Sequence, residues 1–177
     1  LKPGGDKLFR AMHELKHEGY VKKIGVSVYD RAEIEYITKN FQLDIIQVPV
    51  SIFDQRLLSD DILMRLHDKG IEVDVRSVFF QGIILMDPEK VPSYFKGSMK
   101  KIIEFRKVLL KYDLTPLEAS LSFVKRLKFV SRVVVGVNNV KQLNEIFSAF
   151  SSKRCLDNYK KYAFDEINVL NPAKWGF

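Results

Sequence analysis

The chain has 177 residues, 46% of them hydrophobic and 29% charged, an ordinary balance for a soluble globular protein. A domain of this size buries roughly 70% of its unfolded surface, so a single domain over 1–177 with one sizeable core is expected. Net charge is +7, from 29 Lys and Arg against 22 Asp and Glu, which admits an anionic partner. The basic residues scatter over presumed helices at 99–128 and 153–174 and match no zinc-finger, RNA-binding or basic-region pattern, so no nucleic-acid partner is expected.

Apolar runs are short and broken by charges, so no membrane span is expected, and no charged-then-apolar leader opens the sequence. The chain starts at Leu1 rather than methionine, which reads as a processed product or a fragment. A lone cysteine, Cys155, fits a reducing, cytoplasmic compartment. His13 and His17 are spaced to share a helix face, but without a third ligand nearby they read as solvated helix residues, and no metal is expected.

In chain order, 6–19 reads as a helix capped by Asp6 and ended by Gly19, and 22–28 as a short β-branched strand. Asp30 to Glu33 resembles a capping box opening a helix to about Asn40. A second strand is expected over 43–51, with Pro49 near its end. Ser59 with Asp60 and Asp61 opens a helix that Gly70 ends, and 71–76 forms a third strand.

Beyond a stretch punctuated by Gly82, Pro88 and Pro92, apolar spacing predicts a helix over 100–112. Thr115, Pro116 and Glu118 are the cap, first position and third position of a helix to about Leu127. A fourth strand follows at 131–137, and Asn139 caps a helix to Phe150. The remainder, 156–177, is expected to hold a short helix and an extended end.

Alternating strands and helices predict an α/β fold of parallel (β/α) units with helices outside. Four strands fit either a small open sheet or half of a (β/α)8 barrel, which needs eight. In both, ligands sit beyond the carboxyl ends of the strands. There the sequence offers Ser27, then Gln47 and Ser51, then Arg76 and Ser77 with Gln81 and Gly82, then Gly136, Asn138 and Asn139. Hydroxyls, amides and one fixed cation suit hydrogen bonding to a phosphorylated ligand, while the absence of a base or tuned nucleophile disfavours proton transfer. For Arg76 two readings stand: an ion pair with Asp74, two residues back on the same face, or stacking against a flat ring.

The stretches VKKIGVSVYD (21–30), LDIIQVPVSIFDQR (43–56), RSVFFQGIIL (76–85) and VVVGVNNVKQLNEI (133–146) resemble, in order and spacing, the last four strand regions of aldo/keto reductases. The resemblance covers nearly the whole chain and implies the second half of a (β/α)8 TIM barrel, the C-terminal part of an oxidoreductase that reduces an aldehyde or ketone with NADPH. By position, Ser27 and Gln47 resemble the residues that hold the nicotinamide carboxamide. Arg76 falls where many members stack a tyrosine on the nicotinamide. Ser77, Phe79 and Gln81 resemble the loop along the pyrophosphate, and Gly136, Asn138, Gln142 and Glu145 the segment at the adenosine end.

Departures accompany the match. Val28 replaces an asparagine, Arg76 a tyrosine and Ile146 an asparagine, and Val137 and Asn138 lack the usual basic residue for the 2′-phosphate, which leaves NADH open. The family's catalytic Asp, Tyr, Lys and His lie on its first four strands, so no residue here is assigned to catalysis. Met86, Tyr94 and Phe95 are candidates for the substrate side, with core packing as their alternative role. A half-barrel with two open edges also leaves room for a non-catalytic module that binds a nucleotide or sugar phosphate, or self-associates.

Overall fold

The computed structural model describes residues 4–175. Helix α1 (Gly5–His17) leads into strand β1 (Gly25–Ser27), α2 (Arg31–Asn40), β2 (Ile45–Pro49), α3 (Ile62–Asp68) and β3 (Glu72–Arg76). Two 3₁₀ segments, of one turn at 88–90 and about two turns at 93–98, precede α4 (Met99–Lys111), then come α5 (Pro116–Lys125), β4 (Val130–Val133), α6 (Val140–Ser151) and α7 (Ile167–Leu170). The strands form one parallel sheet in the order β1-β2-β3-β4, as the alternating pattern predicts.

Alternation along the strands sorts the sheet into two unlike faces. Ile46, Val48, Val73 and Val75 are fully buried on the outer, helix-covered face. On the other face the register aligns Ser27, Gln47, Asp74 and Arg132 in one row across all four strands. Gly25 is required where β1 meets β2, since a Cβ there would lie 2.1 Å from the Ile45 carbonyl oxygen.

Several local signals act as the sequence predicts. Asp30 accepts from the Glu33 amide, Asn139 from the Gln142 amide, and Thr115 with Glu118 forms a complete capping box. Others do not. Gly4, not Asp6, occupies the cap of α1, and Asp6 lies in the first turn. Ser59 ends a 3₁₀ turn at 56–58 and Asp61 adopts φ 54, so α3 starts at Ile62 without a side-chain cap. The fourth strand stops at Val133, four residues short of expectation. Its neighbour β3 ends at Arg76, so only the Val134 amide still finds a partner, the Val75 carbonyl at 2.7 Å. Pro172–Lys174 is a 3₁₀ turn rather than extended chain, and the last two residues lie outside the described range.

The core beyond the strand ends is aromatic. Phe53 stacks on Phe164 at 4.4 Å and meets Phe80 and Phe105 edge-on, which folds the tail back across the loops after β2 and β3. The Glu118 carboxylate accepts from Thr115 and from Arg154 at 2.7 Å. Burial alone would raise its pKa, but the bonds from Thr115 and Arg154 outweigh it and hold the group below the ordinary 4.5. A depressed carboxylate adds stability above its unfolded pKa and loses it as pH falls through the folded one. Thr115→Ala is therefore expected to cost about 1 kcal/mol and lower Tm by about 2–4 °C. In thermal melts, the gap between wild type and Glu118→Gln should be constant from neutral pH to about 4.5 and close below it. A gap that persists in acid would show that the carboxylate contributes through shape alone.

Candidate functional site

The carboxyl ends of β3 and β4 bound a groove of about 840 Å³, within the range of small-molecule sites. Its walls are the turn after β3, the exit of β4 and the first turns of α5 and α6. Seven of the ten sequence-predicted residues line it: Ser77, Phe79, Gln81, Gly136, Asn138, Gln142 and Glu145. The other three, Ser27, Gln47 and Arg76, lie outside the groove at the adjoining strand ends. Arg76 joins the two groups by donating to the Ser77 hydroxyl at 3.3 Å.

The turn that carries Ser77 and Gln81 has an unusual backbone. Ser77, Phe80 and Gln81 have φ of 57, 48 and 54, and Gly82 follows at φ 87. Gln81 Nε2 reaches back to the Ser77 hydroxyl at 3.4 Å. At the start of α6 two side chains close each other. Asn139 accepts from the Gln142 amide at 2.9 Å, while Gln142 Oε1 accepts from the Asn138 amide at 2.8 Å. Gln142 thus spends its carbonyl on the helix start, while no hydrogen bond among the described residues uses its Nε2. Glu145, one turn on, has Lys141 at 4.0 Å along the same exposed helix.

Arg76 settles which of its two readings applies. Asp74 goes to Arg132, whose Nε lies 3.1 and 3.2 Å from its two oxygens. Arg76 instead donates to the Ser27 hydroxyl at 3.1 Å and the Val28 carbonyl at 3.3 Å, with its guanidinium 4.3 Å from the centre of the Tyr29 ring. It stacks on an aromatic and bonds only to neutral acceptors. Ser27 also contacts Gln47, at 3.4 Å. Ser51, another strand-end hydroxyl, is fully buried and caps the turn to Asp54, so it belongs to the scaffold.

Two residues at the site escaped the sequence reading. Tyr29 supports Arg76 from the loop after β1. Arg106 enters the groove wall from α4 and donates to the carbonyls of Ile84 (2.9 Å) and Met86, with burial pulling its pKa below the ordinary value against the opposing charge of Asp87. An arginine on an otherwise apolar helix face is the signal that points to it. Of the substrate-side candidates, Phe95 is fully buried, Tyr94 holds the tail through the Asn168 and Lys174 carbonyls, and Met86 is partly exposed.

The profile of the aldo/keto reductase family matches residues 5–169. The chain belongs to that family. It is 26% identical over 158 residues to the uncharacterized oxidoreductase YqkF of Bacillus subtilis, covering 84% of this chain and 51% of that protein. The NADH-specific methylglyoxal reductase of Escherichia coli is 25% identical over 154 residues, covering 79% and 47%. An aldo-keto reductase of Bacillus halodurans shares the fold with a TM-score of 0.72 at 19% identity, covering 92% of this chain and 56% of its own. The chain therefore spans about half the length of the relatives it matches, and its four strands correspond to part of their (β/α) barrel.

The grip of Arg106 on 84–86 has a measurable consequence. In Arg106→Met, amide hydrogen exchange should speed up over 83–87 while Ile46, Val48, Val73 and Val75 keep their protection. Unchanged exchange in 83–87 would show that the segment is held by its own turns.

Proposed function

We propose that these 177 residues form the cofactor-binding part of a cytoplasmic oxidoreductase that reduces a small aldehyde or ketone to an alcohol with a nicotinamide dinucleotide. The observation that carries this reading is the continuous run from Ser27 and Gln47 through Arg76 and Ser77 into the groove that Gln142 and Glu145 close. Its donor set fits such a ligand. The hydroxyl and amide of Ser27 and Gln47 match a carboxamide, Ser77 and Gln81 offer donors to a pyrophosphate, and Gln142 and Glu145 offer an amide and a carboxylate to the adenosine end. When bound, the reduced nicotinamide supplies the hydride. The residues of this chain hold and orient it, and none of them is assigned as proton donor, a role that the family resemblance gives to earlier strands.

Among the groove's walls, Arg106 is the one cation, and it is committed to backbone carbonyls, while Glu145 places a carboxylate at the adenosine end. A carboxylate hydrogen-bonds a free ribose 2′-hydroxyl and repels a 2′-phosphate. That favours NADH over the NADPH implied by the sequence resemblance, in keeping with the NADH-specific relative. The outer strand β4 borders an apolar cleft of about 440 Å³ formed with α5 and α6, which favours cover by further strands of a barrel.

Calorimetric titration tests both parts. NADH should bind about ten-fold or more tightly than NADPH, Gln142→Ala should weaken both, and Glu145→Lys should narrow or reverse the preference. Tighter NADPH binding by the wild-type chain would refute the cofactor choice. No binding of either by folded protein would refute the dinucleotide site itself.

A further inference from the structure

Among the described residues, Arg76 is a positive charge with no carboxylate within 4.0 Å. Its partners, the Ser27 and Ser77 hydroxyls, the Val28 carbonyl and the Tyr29 ring, are all neutral. The carboxylates around it are committed elsewhere. Asp74, on its own strand face, is held by Arg132. Asp54, across a narrow cleft, is chelated by Arg56 through two bonds of 2.8 Å. Glu33, on α2, keeps its charge but turns one oxygen to the Tyr29 amide at 2.6 Å and forms no ion pair within 4.0 Å with Arg76. Among the described residues, none of the ion pairs within 4.0 Å includes Arg76. A guanidinium stays protonated throughout the working pH range, so this charge is permanent.

The nicotinamide ring carries a positive charge when oxidised and none when reduced. Resting on the dinucleotide reading above, with the nicotinamide at the Ser27–Gln47 end, we propose that Arg76 makes the site sense the redox state of its ligand, holding the reduced form and repelling the oxidised one. Stacking on Tyr29 fixes the guanidinium beside Ser27, so the charge cannot swing away to solvent without losing that contact. Two unit charges about 4 Å apart repel enough, even fully solvated, to shift an equilibrium about five-fold, and more where water is excluded. Spent cofactor would leave readily, and the reductive direction would be protected from product inhibition.

The test is to measure Kd for NADH, NAD⁺ and ADP-ribose with the full chain as wild type, Arg76→Met and Arg76→Lys. ADP-ribose lacks the nicotinamide and reports whether the rest of the site is intact. Wild type should bind NADH at least about five-fold more tightly than NAD⁺. Arg76→Met should bring the ratio close to one, Arg76→Lys should keep it, and ADP-ribose should bind all three alike. In the wild type, added salt should narrow the gap. A ratio unchanged in Arg76→Met, both forms weakened by the same factor, or a salt-independent gap would overturn the inference while leaving the dinucleotide site standing. Failure of all three ligands to bind the wild type would overturn both.

Discussion

The site depends on a left-handed turn that the backbone resists. Left-handed conformation costs a non-glycine residue about 1–2 kcal/mol, and the segment from Ser77 to Gly82 contains three such residues. What holds it is Phe80. Its side chain is almost fully buried and meets the rings of Phe53, Phe95, Phe164 and Trp175 edge-on at centroid distances of 5.6–6.1 Å. Burying one phenylalanine contributes about 1.5–3 kcal/mol, enough to offset much of the strain. The turn then does three things at once. It ends β3, frees the last residues of the fourth strand segment from pairing, and brings Ser77, Phe79 and Gln81 to the groove wall. Because two of those rings come from the C-terminal tail, residues more than eighty positions away set the conformation of the strand end.

Much of this was legible in the sequence, and the rest was not for identifiable reasons. Strand and helix order followed from apolar periodicity, and the Asp30, Thr115 and Asn139 caps from local spacing, because each depends on residues within one helical turn. Ser59 to Asp61 carried the same kind of signal, yet the chain there is drawn inward by Leu57 and by the Arg56–Asp54 pair, so tertiary packing overrides it. The length of β4 could not be read from 131–137, since it is fixed by where β3 ends. Tyr29 and Arg106 were missed because their roles rest on contacts with segments 47 and about 20 residues away, which no window of the sequence joins. Seven candidate residues do converge on one groove, and the other three sit beside it.

Charge on the inner face of the sheet follows a rule that Arg76 alone breaks. Lys23 pairs with Glu72, Glu72 with Arg132, and Arg132 with Asp74, a chain of two cations and two anions that runs across the strands. Such a network can be enclosed, since each charge taken from water keeps an opposite partner. It suits a surface that further barrel strands cover. At the mouth of the same face the pairing stops. Arg76 is supported by hydroxyls, a carbonyl and a ring, groups that orient a cation but do not neutralise it. A scaffold built only for stability would have paired it with Asp74, which is two residues away on the same strand face. That carboxylate pairs instead with Arg132, and the positive charge of Arg76 stays where the strand ends meet the groove, without an ion-pair partner among the described residues.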